Sequence, residues 1–450
     1  MTDGATTWRF PRAFWTGNVA ELFERAAFYG TFIALTLYLT RVVGLTDVKA
    51  GLVAGAFSGW IYLVPFFTGA VADRIGFRNG LMIAFALLTV GYGTLGVFHT
   101  LGPVLVGLVL IVLGGAMVKP VITGTVSKTS DSVNRARAFS IFYMVVNIGS
   151  FTGKTIVAPM RIRMGVETVP FFSAGASLVA LVLVFLIFRP PEDPDAKPNS
   201  IRETLQGMWM AMSNLRFLAL ILITAGFWAI QGQLYASMPA YVLRMAGETY
   251  KPEWYANVNP LVVVLFVVAI TQMVRTWKPQ YSMLVAMALI PMSSLAMASS
   301  VLFSGNFNIF GLSVHPITAM MVVGISIQGL AECFLSPKYL EFASKQAPPG
   351  KEGVFLGFAH VNTFFAWIFA FVFSGFLLSA YCPDPSTLSS AEQIQHTAAL
   401  AGHGPLPAAY DHAHYLWLAY AGVGLISFLA LVALIVVTNR IDAKREAAAA

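Results

Sequence analysis

The chain has 450 residues, 57% of them hydrophobic and only 11% charged, with a net charge of +7. Soluble domains carry about 25% charged residues, so a soluble fold is excluded, and apolar blocks of about 20 residues recurring along the whole length read as a polytopic all-α membrane protein. The alternating strands of roughly ten residues that build a membrane β-barrel are missing, and the basic residues lie in short loops on one side of the membrane, which argues against nucleic acid as a partner.

The first 17 residues, ahead of GNVAELFER, carry no cleavable signal pattern, so the first apolar segment is expected to stay in the protein. Twelve spans follow, near residues 15–40, 49–72, 80–98, 103–127, 138–160 and 169–189, then 215–243, 254–275, 280–303, 314–342, 353–380 and 413–438. Span one contains ELFERAAFYG, Glu21 to Gly30, and span two places Gly51, Gly55 and Gly59 at every fourth residue, a spacing that lets helices approach closely. Span four carries Lys119 and Pro120, and span five Asn147 and Lys154. A Pro-rich, charged linker with an amphipathic stretch from Ile201 to Met212 divides the chain into an N-terminal six-helix bundle (1–189), a cytoplasmic linker (190–214) and a C-terminal six-helix bundle (215–450). In the second half Asn259 opens span eight, and span ten carries Glu332 ahead of Ser336 and Pro337. Met283, Met287, Met292 and Met297 read as packing.

With both termini inside, 18 lysines and arginines fall on the inner loops and tails and 6 on the outer loops, the asymmetry of a multi-pass protein of the cell (inner) membrane. Cys333 and Cys382 read as two free thiols. The longest outer loop holds four of the seven histidines; His412 and His414 are two apart, a poor spacing for metal ligands on one helix face, so the loop reads as solvated and no metal or cofactor is expected.

Glu21, Glu24, Arg25, Lys119, Lys154 and Glu332 lie inside spans. At about 2.5 to 3.5 kcal/mol each, six unpaired charges would cost on the order of 15 to 20 kcal/mol, so they pair or line an aqueous cavity. Glu21 and Arg25 are four apart and pair along one helix face with Tyr29 a turn beyond, leaving Glu24 and Lys119 to find partners on other helices. The first half holds three cations against two carboxylates and the second holds Glu332 alone, a polarity suited to a zwitterion. A structural ion-pair cluster is the alternative.

Six plus six helices around a linker suit alternating access. The loop GAVADRIGFRN, with Gly69, Asp73, Arg74, Gly76 and Arg78, resembles the loop signature of the major facilitator superfamily. There Asp73 stands where a carboxylate meets a helix N-terminus, and Arg74 and Arg78 stand where they hold the cytoplasmic face shut.

Within that superfamily the chain is similar to the proton-coupled oligopeptide transporters, through five motifs. Glu21, Glu24 and Arg25 match the ExxER motif of helix one; Tyr62 matches a cavity tyrosine; AMVKP sets Lys119 on helix four; FYMVVNIGS supplies Asn147; and NPL with ECFLSPKYLEFASKQAP supplies Asn259 and Glu332. The resemblance implies proton coupling through Glu21, Glu24, Arg25 and Lys119. It implies substrate binding by Arg25, Tyr29, Tyr62, Lys119, Asn147, Asn259 and Glu332, to which the extra Lys154 is added, and gating at Asp73, Arg74, Arg78 and Pro337. Phe28 and Phe32 stand where the family offers polar groups, and Gln231 and Gly232 where it offers acids. The expected activity is proton-driven import of di- and tripeptides or peptide-like zwitterions. The alternatives are an organic anion or peptide-derived metabolite on the same site, or a receptor that does not transport. No HExxH or GxSxG is present, so an enzyme is not expected. The partners are a small-molecule substrate, protons and the bilayer, and the oligomeric state is left open, a monomer included.

Overall fold

The computed structural model describes residues 9–131, 134–190, 201–309, 311–347 and 352–449. The linker's Pro-rich core and Lys351 lie outside them, as does the side chain of Asp73. Eleven helices among the described residues are long and apolar enough to cross a membrane. The remaining one, span one (Arg12–Arg41), is 30 residues long and carries Glu21, Glu24 and Arg25 in its middle. At 1.5 Å per residue it reaches about 45 Å, ample for a hydrocarbon core of about 30 Å.

The others are span two (Asp47–Gly69), three (Phe77–Val97), four (Leu101–Lys128), five (Arg137–Met164), six (Val166–Leu186), seven (Leu215–Ala236), eight (Pro252–Met273), nine (Pro279–Leu302), ten (Pro316–Lys345), eleven (Phe355–Tyr381) and twelve (Ala408–Lys444).

Several spans read as continuous are broken. Span two is helical over Asp47–Leu63 and again over Pro65–Ile75, because Pro65 has no N–H to continue the ladder. Span seven ends at Ala236, and a separate helix, Met238–Ala246, begins with Pro239 in its first turn. Span eight restarts at Val258 after a single turn, Pro252–Tyr255, and span eleven breaks at His360. Between spans nine and ten a short antiparallel hairpin pairs Phe307–Ile309 with Leu312–Val314.

The chain divides into two compact units. Unit 1 comprises Met1–Gly44 and Trp60–Thr204, and unit 2 comprises Leu45–Gly59 and Leu205–Ala450. A division at residues 189 and 215 therefore misses one feature: the first half of span two sorts by contact with the second unit.

In unit 1, span one packs on spans five and six, and span three on spans four and six. Small residues set the first of these contacts. A Cβ on Gly153 would come within 2.2 Å of the Ala26 carbonyl oxygen, so only glycine lets the two backbones approach this closely. In unit 2, span ten packs on spans eight and nine, span twelve on seven and nine, and span eleven on span seven. The Gly51, Gly55 and Gly59 stripe lies against Ile368, Phe371 and Gly375 of span eleven. A Cβ on Gly51 would meet the Phe371 carbonyl at 2.5 Å, and one on Gly375 the Asp47 carbonyl at the same distance.

Both cysteines are free and buried. Burial pushes the Cys382 thiol up to about 12, so it stays protonated and inert at neutral pH.

The outer loop departs from its solvated reading. Residues Ser390–Leu400 form a helix with a capping box between Ser389 and Glu392. His396 on this helix is buried and donates through Nε2 to the Arg244 carbonyl at 2.8 Å. Arg244, counted as an outer-loop charge, is itself only 1% exposed. It donates to both Asp47 oxygens at 2.8 and 2.9 Å, to Asp384 at 3.0 Å and to the Cys382 carbonyl at 2.6 Å. Those carboxylates hold its guanidinium charged against the cost of burial.

Candidate functional site

In unit 1 the charges of span one converge on Arg25. Its Nε stands 3.3 Å from Glu21 Oε1 and makes a closer contact with Glu24 Oε2. Both carboxylates are 1% exposed, whereas the Arg25 side chain keeps 14% of its surface. Glu24 therefore finds its partner one residue away on its own helix rather than on a neighbouring span, because the long arginine stem folds back along the helix surface. Arg25 also lies 5.4 Å from the Phe28 ring and 5.9 Å from the Tyr29 ring.

Lys119 is exposed in the middle of span four, next to Pro120, and feels the charges of Arg25, Glu21 and Glu24. Among the described residues it makes no ion pair. Proline at 120 deprives the Ala116 carbonyl of its helical donor, and the Thr68 hydroxyl of span two donates to that carbonyl at 2.7 Å. Tyr62 lies in the electrostatic field of Tyr29 and Arg25, and the buried Tyr92 of span three in that of Glu24 and Arg25.

Lys154 is 1% exposed, with Nζ 5.7 Å from the Tyr29 ring. The close approach at Gly153 brings it there. Tyr29 thus has Arg25 near one side and Lys154 within cation–π distance. The Asn147 amide donates to the Tyr143 carbonyl of its own helix at 2.8 Å. Phe32 is buried and stacks on Phe28 at 5.0 Å.

In unit 2 the acidic centre is Glu332. Gln231 of span seven donates to its Oε2 at 2.5 Å and Asn259 of span eight at 3.3 Å, so two amides hold one carboxylate oxygen. Gln231 appears in the sequence as the loss of an acid, yet it is the nearest donor to Glu332. Gln231→Leu removes a hydrogen bond to a charged group, worth about 1.5 to 3 kcal/mol. Thermal unfolding of the purified variant is expected to show that loss as a lower midpoint; an unchanged midpoint speaks against the contact.

Of the residues expected at the gate, Arg74 is exposed, and Arg78 donates to the Phe185 carbonyl at 2.8 Å, fastening the start of span three to the end of span six. Pro337 lies inside span ten, which runs through it as helix. Among the described residues no cluster of three metal-ligating side chains occurs.

A family model described as Major Facilitator Superfamily matches residues 19–314. Dipeptide and tripeptide permease A of Edwardsiella piscicida is 27% identical over 231 residues, 50% of this chain and 46% of that protein. Peptide transporter YePEPT of Yersinia enterocolitica is 28% identical over 258 residues, 52% of this chain and 49% of that protein. The chain thus spans about half the length of these curated relatives. Among solved structures, that of a peptide transporter POT in complex with sulfate is 20% identical with a TM-score of 0.69, covering 96% of this chain and 95% of that one. The POT family transporter PepTSo is 19% identical with a TM-score of 0.70, covering 95% and 98%. At these identities the two structures establish the likeness of fold.

Proposed function

The chain belongs to the Major Facilitator Superfamily, and on that premise we propose that it is a proton-coupled secondary active transporter importing di- and tripeptides or peptide-like zwitterions by alternating access. The observation that carries this reading is the buried cluster in which two carboxylates, Glu21 and Glu24, share one guanidinium. Such a group exchanges a proton with a change of one unit in its net charge, which an electrostatically coupled ligand senses. Arg25, Lys119 and Asn147 then receive the substrate carboxylate, with Tyr29 and Tyr62 beside them, and Asn259 and Glu332 receive its amine. The Asn147 amide first leaves the Tyr143 carbonyl. Asp73, Arg74, Arg78 and Pro337 serve the gate. The membrane is the cell (inner) membrane with both termini in the cytoplasm, in keeping with the excess of basic residues on the inner loops.

One proton crossing 100 mV releases about 2.3 kcal/mol, enough for modest accumulation. The test is the purified protein in liposomes under an imposed pH gradient, with labelled di- and tripeptides and unlabelled competitors. Gradient-dependent accumulation of a peptide is expected, and Lys119→Ala is expected to lower it at least about tenfold. Full proton-driven uptake by that variant removes Lys119 from the coupling site. If no peptide accumulates or competes, the peptide assignment fails.

A second reading, transport of an organic anion or a peptide-derived metabolite on the same site, is favoured by the extra lysine, Lys154, whose amine lies beside Tyr29. In the same assay it requires simple carboxylates, and not peptides, to compete.

A further inference from the structure

Away from the charged clusters, unit 2 contains a cavity of about 290 Å³, at the lower limit of the size of small-ligand sites. Its lining comes from four helix ends. Arg216 is at the start of span seven, Lys278 immediately precedes span nine, Lys345 closes span ten, and Asp442 lies in the last turn of span twelve. In a chain that crosses the membrane up and down, the starts of spans seven and nine and the ends of spans ten and twelve share one membrane face. It is the face to which the basic asymmetry assigns the cytoplasm.

Three cations line the mouth, and with Asp442 paired to Arg216 and Glu341 paired to Lys345 the balance is one positive charge, carried by Lys278. Arg216 meets Asp442 with both terminal nitrogens, Nη1 donating to Oδ2 at 3.1 Å and Nη2 more closely to Oδ1, which leaves only its outward N–H groups for a further acceptor. Lys345 donates to Glu341 at 2.6 Å, a carboxylate that also accepts from Lys338 at 2.9 Å, and Lys278 is exposed.

Below this mouth the lining turns apolar. Leu220 is four residues beyond Arg216, about 6 Å deeper, and Ile435 is seven residues before Asp442, about 10 Å deeper. Met283 and Leu431 complete the floor. A cationic rim over an apolar floor, ordered along the membrane normal, is the polarity gradient of a phospholipid. It matches neither a peptide, whose two ends are charged, nor a free anion, which gains nothing from the floor.

We propose that this cavity is a binding site for an anionic phospholipid, its phosphate held by Lys278 with the outward N–H groups of Arg216 and Lys345, and the start of an acyl chain lying on the half-buried Phe342 and Leu434 above the buried Leu220, Met283 and Ile435. Basic recesses between helices on the cytoplasmic side recognise such headgroups, whereas a zwitterionic lipid carries its own cation into the same positive field. The site is independent of what the protein transports.

The test is native mass spectrometry and thermal unfolding of the full chain in detergent, titrated with dioleoyl phosphatidylglycerol, dioleoyl phosphatidylcholine or inorganic phosphate. Phosphatidylglycerol is expected to bind about tenfold more tightly than phosphatidylcholine and to raise the unfolding midpoint, while 10 mM inorganic phosphate does neither and does not displace it. Lys278→Gln with Lys345→Gln is expected to abolish the preference, and the two Lys→Arg replacements to keep it. Lys278→Gln alone, at an exposed position, gives an intermediate preference and serves if the double variant folds poorly. Equal binding of both lipids to the unaltered protein overturns the proposal, as does a preference that survives both Lys→Gln changes. Protection by inorganic phosphate that matches the lipid and displaces it overturns the acyl-chain part and identifies a free phosphate as the ligand.

Discussion

Glu24→Gln is expected to abolish proton-driven accumulation in liposomes, by about a hundredfold or more, while exchange of labelled for unlabelled substrate at equal pH on both sides continues within about tenfold of the unaltered rate. Glutamine keeps the shape of the side chain and an oxygen that accepts from Arg25, so the cluster on span one survives. What it removes is one of the two carboxylates that share the Arg25 guanidinium. Glu21 is then left alone with Arg25, the net charge of the group shifts by one unit, and the two-carboxylate arrangement on which the proposed coupling rests is broken. The alternative variant, Arg25→Met, is the poorer probe. It leaves two carboxylates that are 1% exposed without their guanidinium, and breaking a buried pair in this way costs about 3 to 5 kcal/mol. Loss of uptake there reflects loss of the fold. Gradient-driven accumulation that persists in Glu24→Gln excludes Glu24 from coupling, and loss of exchange together with accumulation makes its role structural.

The same cluster shows where the sequence is legible. Glu21 and Arg25, four apart, are paired by helical geometry alone, and their distance of 3.3 Å agrees with that spacing. Glu24 is misassigned to another helix because adjacent residues do not face each other on a helix, and the reach of an arginine stem around the backbone leaves no periodic trace. Gln231 is missed for a different reason. Its value lies in an amide donated to Glu332, 101 residues away, and only the packing of span seven near span ten creates that bond. Thr68 and Tyr92 resemble ordinary packing residues of apolar helices. The hydroxyl of Thr68 matters because Pro120 strips Ala116 of its donor, a relation between two spans. The helix breaks at Val64, Ser237 and His360 escape because hydropathy is averaged over about 19 residues, longer than any of these interruptions. Charge counting assigns loop residues to a membrane side but treats them as solvated, so neither the burial of Arg244 nor that of His396 is visible to it.

Arg244→Met is expected to destabilise unit 2 by about 3 to 5 kcal/mol, the largest loss of stability expected from a single side chain outside the charged cluster of span one. Its guanidinium meets Asp47 with two parallel hydrogen bonds, the geometry in which an arginine holds a carboxylate most tightly. The Asp47 side chain is 5% exposed, so removing the cation strands its charge where water does not reach. Methionine fills most of the volume, and the cost therefore reports the ion pair rather than a cavity. Asp47 also begins the helix whose Gly51 and Gly55 press against span eleven, so displacement of Asp47 towards water pulls on that close contact. His396→Ala removes one hydrogen bond to a carbonyl, worth about 1 kcal/mol, and is expected to cost several times less. Thermal unfolding in detergent at one scan rate measures both. Adding Asp47→Asn to Arg244→Met neutralises the stranded carboxylate and is expected to recover part of the loss, since asparagine is far cheaper to bury than an unpaired charge. If the double variant melts no higher than Arg244→Met, the destabilisation comes from Asp384 and the Cys382 carbonyl instead, and the pair with Asp47 contributes little; an unchanged midpoint in Arg244→Met itself removes the network from the stability of the outer face altogether.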